Sequence, residues 1–397
     1  MFEKSTRILF YLAGDVKMKY IGYYNSVLNK ENRVCVPSAM TKMDYIAETL
    51  VKNGEEVQII SNSFSLIGKY YKSQTLHIAE KVSLKLFTCL PGTNRVMRIL
   101  SRWGVNMQMF AYLLLHVKRR EKVIVYHSLG YTKIIDILHR LKRFYLILEV
   151  EEIYSDVNES LKKIRDKERD YLKKADAYIF STELLDEKVN IGCKPSCIVY
   201  GTYKVKKPID TSAKNNDWEK DKLHIVYAGT FDRDKGGVDI AISAANDLPE
   251  EYHVHIIGFG TEKDIKRVKQ QIAAVKMRSH CIITYDGLLL GEDYDAFIQQ
   301  CDIGLSTQNP NSAFNSTSFP SKVLSYMANG LRVVSIKIPV LEIASIGKYL
   351  YYYEEQNSEK LAQTIKKIDF SIPYEGREVL KRLDLNFQQE LKRMMEV

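Results

Sequence analysis

Short apolar runs that each lead into a helical pattern, repeated along the chain, constrain this sequence more than any other feature. In the first half these runs are ILFYL (8–12), VQIIS (57–61), VIVYHS (123–128), FYLILEV (144–150) and AYIFST (177–182). They are continuous rather than alternating, and strands of that kind are buried on both faces, as in a parallel sheet. Between them lie helical patterns such as MDYIAETLVKNG, closed by Asn53-Gly54, and YTKIIDILHRLK. Gly14 and Gly22 flank the loop expected after the first strand. A strand-helix-strand rhythm predicts a doubly wound sheet.

The rhythm stops over residues 205–222, which are polar, aperiodic and contain Pro, Ser and Asn-Asn. It then restarts with LHIVYAG (223–229), HVHIIGFG (253–260), CIITYDG (281–287), IGLSTQ (303–308) and RVVSIK (332–337). The expected organisation is a Rossmann-like domain over 1–205 and another over 206–370. A C-terminal helix, 371–397, then packs back on the first. Folds of this kind bind ligands at the carboxyl edges of their strands.

Charge divides along the same line. Residues 1–200 carry 32 Lys and Arg against 22 Asp and Glu, whereas the remaining 197 carry 26 against 27. A basic first half implies an anionic partner: a membrane surface, a lipid-linked phosphate or nucleic acid. Between Arg95 and Lys122, Arg98, Arg102, Lys118, Arg119 and Arg120 mix with Trp103, Met107, Met109 and Phe110. That mixture suits an interfacial helix on anionic lipid, and equally a core helix with solvated ends. No recognisable RNA or DNA module accompanies the basic residues, so no nucleic-acid partner is expected. No run approaches the ~20 apolar residues of a spanning helix, and MFEKSTRILFYLAG lacks the layout of a secretory signal. The expectation is a cytoplasmic protein, in peripheral contact with the inner face of the plasma membrane. The six cysteines form no framework: Cys193 and Cys197 are separated by Lys-Pro-Ser, and no second pair completes a zinc site.

Three strand ends carry chemistry. In Ala228-Gly229-Thr230-Phe231-Asp232-Arg233-Asp234-Lys235-Gly236-Gly237, glycine admits an anion close to the backbone and Lys235 supplies charge, although an ordinary turn reads the same way. Asp232 and Asp234 read as solvated turn acids, and no metal is expected. Ile257-Gly258-Phe259-Gly260 is a second such turn. The third and most specific segment runs from Asn315 to Gly330. Here Ser318 or Phe319 precedes a helix, Pro320 sits near its first position and Gly330 closes it. Ser318, Ser321 and Lys322 crowd the amino end, a place suited to a diphosphate. A cation there is unfavourable unless an anion arrives.

Taken in order, several segments resemble the donor half of glycosyltransferase family 4. They are Gly229…Lys235-Gly236, Gly258-x-Gly260, Tyr285-Asp286-Gly287, Cys301-Asp302-Ile303-Gly304, and Thr317-x-Phe319-Pro320-Ser321-Lys322…Tyr326-Met327-Ala328-Asn329-Gly330. The resemblance spans roughly 220–350 and is loose in the amino half. It implies the GT-B fold and a retaining transferase of the hexosyl kind, with a UDP-sugar as donor substrate and no cofactor or metal. By analogy the acceptor is a saccharide, lipid-linked, in surface polysaccharide synthesis. It places the base near the backbone of Gly258–Gly260 and of Asp286, Gly287 and Leu288. Lys235, Lys322 and the Ser318–Ser321 turn hold the diphosphate. Gly22, Thr230, Thr317 and Ser325 line the donor, and His127, ending VIVYHS, points toward the reacting sugar. Glu149, Glu151 and Glu152 end the next strand, with Glu151 and Glu152 as acceptor-side candidates. The family's two glutamates, separated by seven residues, are Thr317 and Ser325 here, and its arginine after the first glycine is Thr230. Those replacements also fit a catalytically impaired nucleotide-sugar-binding or assembly protein. Charge alone fits a nucleic-acid binder, and the fold fits an inverting relative.

Overall fold

The computed structural model describes residues 17–26, 29–65, 67–209, 218, 221–232 and 237–396. Two compact units emerge. The first takes the chain up to 181, then 185–202 and the segment from 387 on; the second takes 182–184 and 203–386. The end of the long helix Gly376–Glu396 thus belongs to the first unit, where Phe387 stacks on Tyr45 at 5.7 Å between ring centroids.

The first sheet consists of β1 (Met18–Gly22), β2 (Val57–Ser61), β3 (Gln74–Ala79), β4 (Val82–Leu86), β5 (Lys122–Tyr126), β6 (Tyr145–Val150), β7 (Ala177–Phe180) and β8 (Ser196–Ile198). Their spatial order is β3-β4-β2-β1-β5-β6-β7-β8. All pairings are parallel except β3 on β4. The second sheet holds β9 (Leu223–Thr230), β10 (Tyr252–Phe259), β11 (Ile282–Gly287), β12 (Ile303–Ser306), β13 (Arg332–Ile336) and β14 (Tyr351–Tyr353). Its order is β11-β10-β9-β12-β13-β14, parallel throughout.

The continuous apolar runs explain both sheets. β7 is buried along its whole length and β6 from Leu146 on, because helices cover the two faces and leave no solvated side. Strand order reverses between β1 and β5 in the first unit and between β9 and β12 in the second. At such a point the flanking connections part to opposite sides and leave a crevice beyond the carboxyl ends. These are the doubly wound sheets that the sequence rhythm predicts.

Several expectations need correction. Residues 8–12 and Gly14 lie outside the described residues, and the first described strand is Met18–Gly22, where the sequence alone predicts a loop. Its charged Lys19 obscured it; that side chain is buried in a pair with Glu121. The β3–β4 hairpin was not anticipated, since β3 alternates between half-buried and exposed positions instead of forming an apolar run. The helix expected to start near Pro320 begins two residues later, at Lys322. Met109, counted among the interfacial residues, faces the core. All six cysteines are free thiols.

Candidate functional site

In the second unit, Gly229, Gly258 and Lys322 come together at the reversal of strand order. β9 and β10 run in register up to Gly229 and Gly258, where the chains crowd each other. A side chain on Gly258 would place its Cβ 1.8 Å from the Gly229 carbonyl oxygen, and its φ of +146° suits glycine alone. Tyr326 fixes the neighbouring backbone: its hydroxyl accepts from the Ala228 N–H at 2.9 Å and donates to the Leu305 carbonyl at 3.3 Å. One ring therefore ties the ends of β9 and β12 to the helix Lys322–Asn329.

Lys322 opens that helix, and among the described residues no side chain caps the amino end. Its Nζ lies 4.4 Å from the centre of the Tyr227 ring and 3.1 Å from where a Cβ on Gly229 would sit. Among the described residues no carboxylate pairs with it. Burial lowers its pKa from the usual lysine range to about 8. An ammonium at the positive end of a helix, withdrawn from water and set against an aromatic face, is a site prepared for an anion.

The other expected donor residues surround this centre unequally. Ser318, Phe319 and Pro320 are half-buried and Ser321 exposed in the turn entering the helix. Thr317 is fully buried, with no hydrogen-bond partner at Oγ1 among the described residues. Ser325, one helical turn beyond Lys322, shares a hydrogen bond of 3.0 Å with the Tyr294 hydroxyl. Thr230 accepts from the Asp232 N–H at 3.2 Å and starts the loop after β9. Gly260 leads into a capping box in which Thr261 and Asp264 bond each other's backbone N–H. Beyond β11, Gly287 adopts a φ of +85° and Leu288 is exposed. The Asp286 side chain turns elsewhere, to Thr284 at 2.8 Å and His255 at 3.3 Å. Lys235 lies outside the described residues.

In the first unit, Gly22 ends β1 and His127 directly follows β5 at the matching reversal, with Glu149 near the end of the adjacent β6. His127 is buried, and its Nε2 lies 2.9 Å from Glu168 Oε1. Burial opposes ionisation of Glu168. The His127 ring N–H and the Ser155 N–H nevertheless hold its carboxyl below the ordinary range, so it accepts as a carboxylate. His127 Nε2 therefore donates, and Nδ1 is left buried without a partner among the described residues. Glu149 accepts from the Tyr20 hydroxyl; burial first, then the Glu151 charge, raises its carboxyl to about 8. Glu151 pairs with Lys42, and Glu152 is half-buried.

The roles of Tyr227, Tyr294, Tyr326 and Glu168 are not legible in the sequence. Tyr227 sits inside an apolar run and reads as core, Tyr326 appears only as part of the closing motif, and Tyr294 lies between Asp293 and Asp295 as a surface residue would. Glu168 had one available signal: it precedes the apolar Tyr171-Leu172 by a helical turn and so shares their buried face.

Residues 222–368 match the model of a family described as Glycosyl transferases group 1. Among curated proteins no sequence matches this chain. Solved structures match over nearly the whole chain at low identity. Sucrose-phosphate synthase from Thermosynechococcus elongatus has a TM-score of 0.71 at 13% identity, covering 96% of this chain and 98% of that one. The E. coli trehalose-6-phosphate structure bound with UDP-2-fluoro glucose gives 0.66 at 8%, with 96% and 99% covered. Anabaena Alr3699/HepE in complex with UDP and glucose gives 0.63 at 12%, with 96% and 99% covered. These likenesses establish the fold. The chain has the GT-B architecture of two Rossmann-like units, and residues 222–368, within the second unit, match the group 1 glycosyltransferase model.

Proposed function

We propose that this chain is a retaining glycosyltransferase that moves a hexose from a UDP-sugar to a lipid-linked saccharide acceptor of a surface polysaccharide, without a metal at the transfer site. The observation that carries the reading is Lys322, an ammonium with no carboxylate partner among the described residues, at an uncapped helix end beside Gly229. As the bond from the anomeric carbon to the phosphate oxygen breaks, negative charge gathers on the departing diphosphate. A fixed ammonium and oriented amides stabilise that charge, the work a divalent cation does elsewhere. The acceptor hydroxyl attacks from the face the phosphate leaves, and its proton passes to the departing phosphate oxygen. No protein nucleophile is then required. His127, oriented by Glu168, offers Nδ1 as acceptor to a sugar hydroxyl. Phe259 and Leu288, both exposed at strand ends, supply apolar surface for the base. The choice of UDP leans on similar structures that hold UDP or UDP-2-fluoro glucose.

A second reading rests on Ser325: its bond to Tyr294 replaces the carboxylate expected for ribose hydroxyls and fits a nucleotide-sugar-binding protein that turns over poorly. Turnover separates the two. In excess EDTA, a UDP-hexose with a saccharide acceptor is expected to release UDP, and an α-configured donor to give an α-configured product. UDP binding without release favours the second reading, and neither binding nor release overturns both.

The membrane part of the proposal rests on the helix Arg95–His116. Its core side is Ser101, Val105, Met109 and Leu113. Val96, Ile99, Leu100, Trp103, Met107 and Leu114, at spacings of three, four and seven, fall on the opposite side and are exposed. Exposed Lys118, Arg119 and Arg120 follow directly. The neighbouring helix Thr132–Lys142 adds exposed Ile137 and Leu141. An apolar stripe with cations at its end fits a bilayer of anionic lipid. Among the described residues no helix is long and apolar enough to cross a membrane. Vesicles containing phosphatidylglycerol are expected to sediment the wild type at low salt and to lose it at 0.5 M salt, given a Debye length below ~8 Å there. Trp103→Glu is expected to weaken binding by about tenfold or more; unchanged binding by that variant would remove the helix from the account.

A further inference from the structure

We propose a divalent metal site of the zinc class at the amino-terminal half of the second sheet, formed by His224, His253 and His255. These residues lie within the strands of the second sheet and take no part in the donor site. His224 lies on β9 and His253 on β10, directly opposite each other in the parallel register. His255, two residues along β10, shares their face of the sheet. One nitrogen from each ring lies within 4.8 Å of the other two. His224 and His255 are buried and His253 is half-buried.

The contacts around the rings have the form of a ligand set with its supports. His255 Nδ1 lies 3.3 Å from Asp286 Oδ2, which leaves Nε2 directed at His224 Nδ1, 3.0 Å away. A carboxylate holding the far nitrogen of a histidine fixes the ring and raises the basicity of the near one, the usual arrangement behind a metal-bound imidazole. His253 Nε2 lies 3.1 Å from the Thr284 hydroxyl, itself bonded to Asp286 at 2.8 Å. Trp218 covers the group, with its ring 4.3 Å from His224 and 4.7 Å from His255. A tetrahedral ion with ~2.0–2.1 Å bonds to nitrogen needs those atoms about 3.3 Å apart, so side-chain rotation closes the site without moving the strands.

Three imidazoles leave a fourth position for water, since Asp286 holds the far side of His255. The site is structural. His224 and Gly229 are five residues apart along β9, about 17 Å, so an ion here does not reach the transferred sugar. It clips β9 to β10 and, through the rings, holds Trp218 of the polar segment that precedes the second sheet. The test is independent of the glycosyltransferase reading, since its readouts are metal content and spectrum. Untagged full-length protein, equilibrated with zinc and dialysed, is expected to retain about one ion per chain. Cobalt in its place is expected to give the intense visible bands of a four-coordinate site. His253→Gln and His224→Gln are expected to lose both signals, and His280→Gln, on the exposed surface, to keep them. If wild-type protein retains no zinc and cobalt shows only the weak spectrum of the hydrated ion, the cluster is a hydrogen-bonded stack and the proposal fails. It also fails if the two cluster variants retain as much metal as wild type.

Discussion

Lys322→Ala is expected to lower the transfer rate by about 10²–10³-fold, the loss seen when one preorganised partner of a developing anion is removed. The same variant is expected to fold normally, because the ammonium it removes is not paired to any described carboxylate. Lys322→Met keeps the apolar stem over Tyr227 and discards the buried charge, so its melting temperature is expected to rise by a few degrees at pH 7. The pH dependence follows from the direction of the shift. Burial lowers Lys322 to about 8, so between that value and the unfolded lysine value the folded chain binds fewer protons than the unfolded one. Wild-type stability therefore rises with pH across this window, by up to about 1.4 kcal/mol per pH unit from this group, and Lys322→Met lacks that rise. UDP affinity runs the other way. It is expected to fall by up to tenfold per unit above pH 8, as the free protein loses the proton that the bound diphosphate favours. A profile flat from pH 7 to 9.5 would separate Lys322 from the phosphates.

Gly258→Ala is expected to be severely damaging to the second unit. The new Cβ would meet the Gly229 carbonyl at 1.8 Å while the backbone stays at a φ of +146°, so strain and displacement of β9 act together. A loss of about 3–5 kcal/mol in the denaturant unfolding of this unit is expected, with UDP binding lost because Gly229 moves away from Lys322. Gly287→Ala supplies the comparison. Its φ is +85°, but a Cβ there meets nothing within 4 Å, so only the backbone cost of about 1 kcal/mol is expected. Equal effects at the two glycines would mean that the crowding of β9 and β10 does not hold the site in place.

The layered fold was legible because burial on both faces leaves a run of apolar residues that few other environments tolerate. VQIIS at 57–61 coincides with β2, and the second-half runs fall on β9 to β13 to within one or two residues. What escaped lacked that mark. β3 is half solvated, β14 is three tyrosines, and β1 contains a lysine neutralised only by a glutamate 102 residues away. The candidate site was legible where its chemistry is local: Gly229, Gly258 and the turn entering Lys322–Asn329 each announce themselves within a few residues. Roles set by distant partners were not. Nothing near His127 points to Glu168, nothing near Ser325 points to Tyr294, and three histidines on two strands meet only once the strands are paired in register.

Titration calorimetry of UDP into the wild type and Lys322→Ala, in EDTA at pH 7, tests the central claim most directly. A metal-independent donor site built on Lys322 predicts saturable binding to the wild type, and an affinity at least about tenfold weaker in the variant. Absence of binding to the wild type in EDTA, or equal affinity for the two proteins, would contradict it.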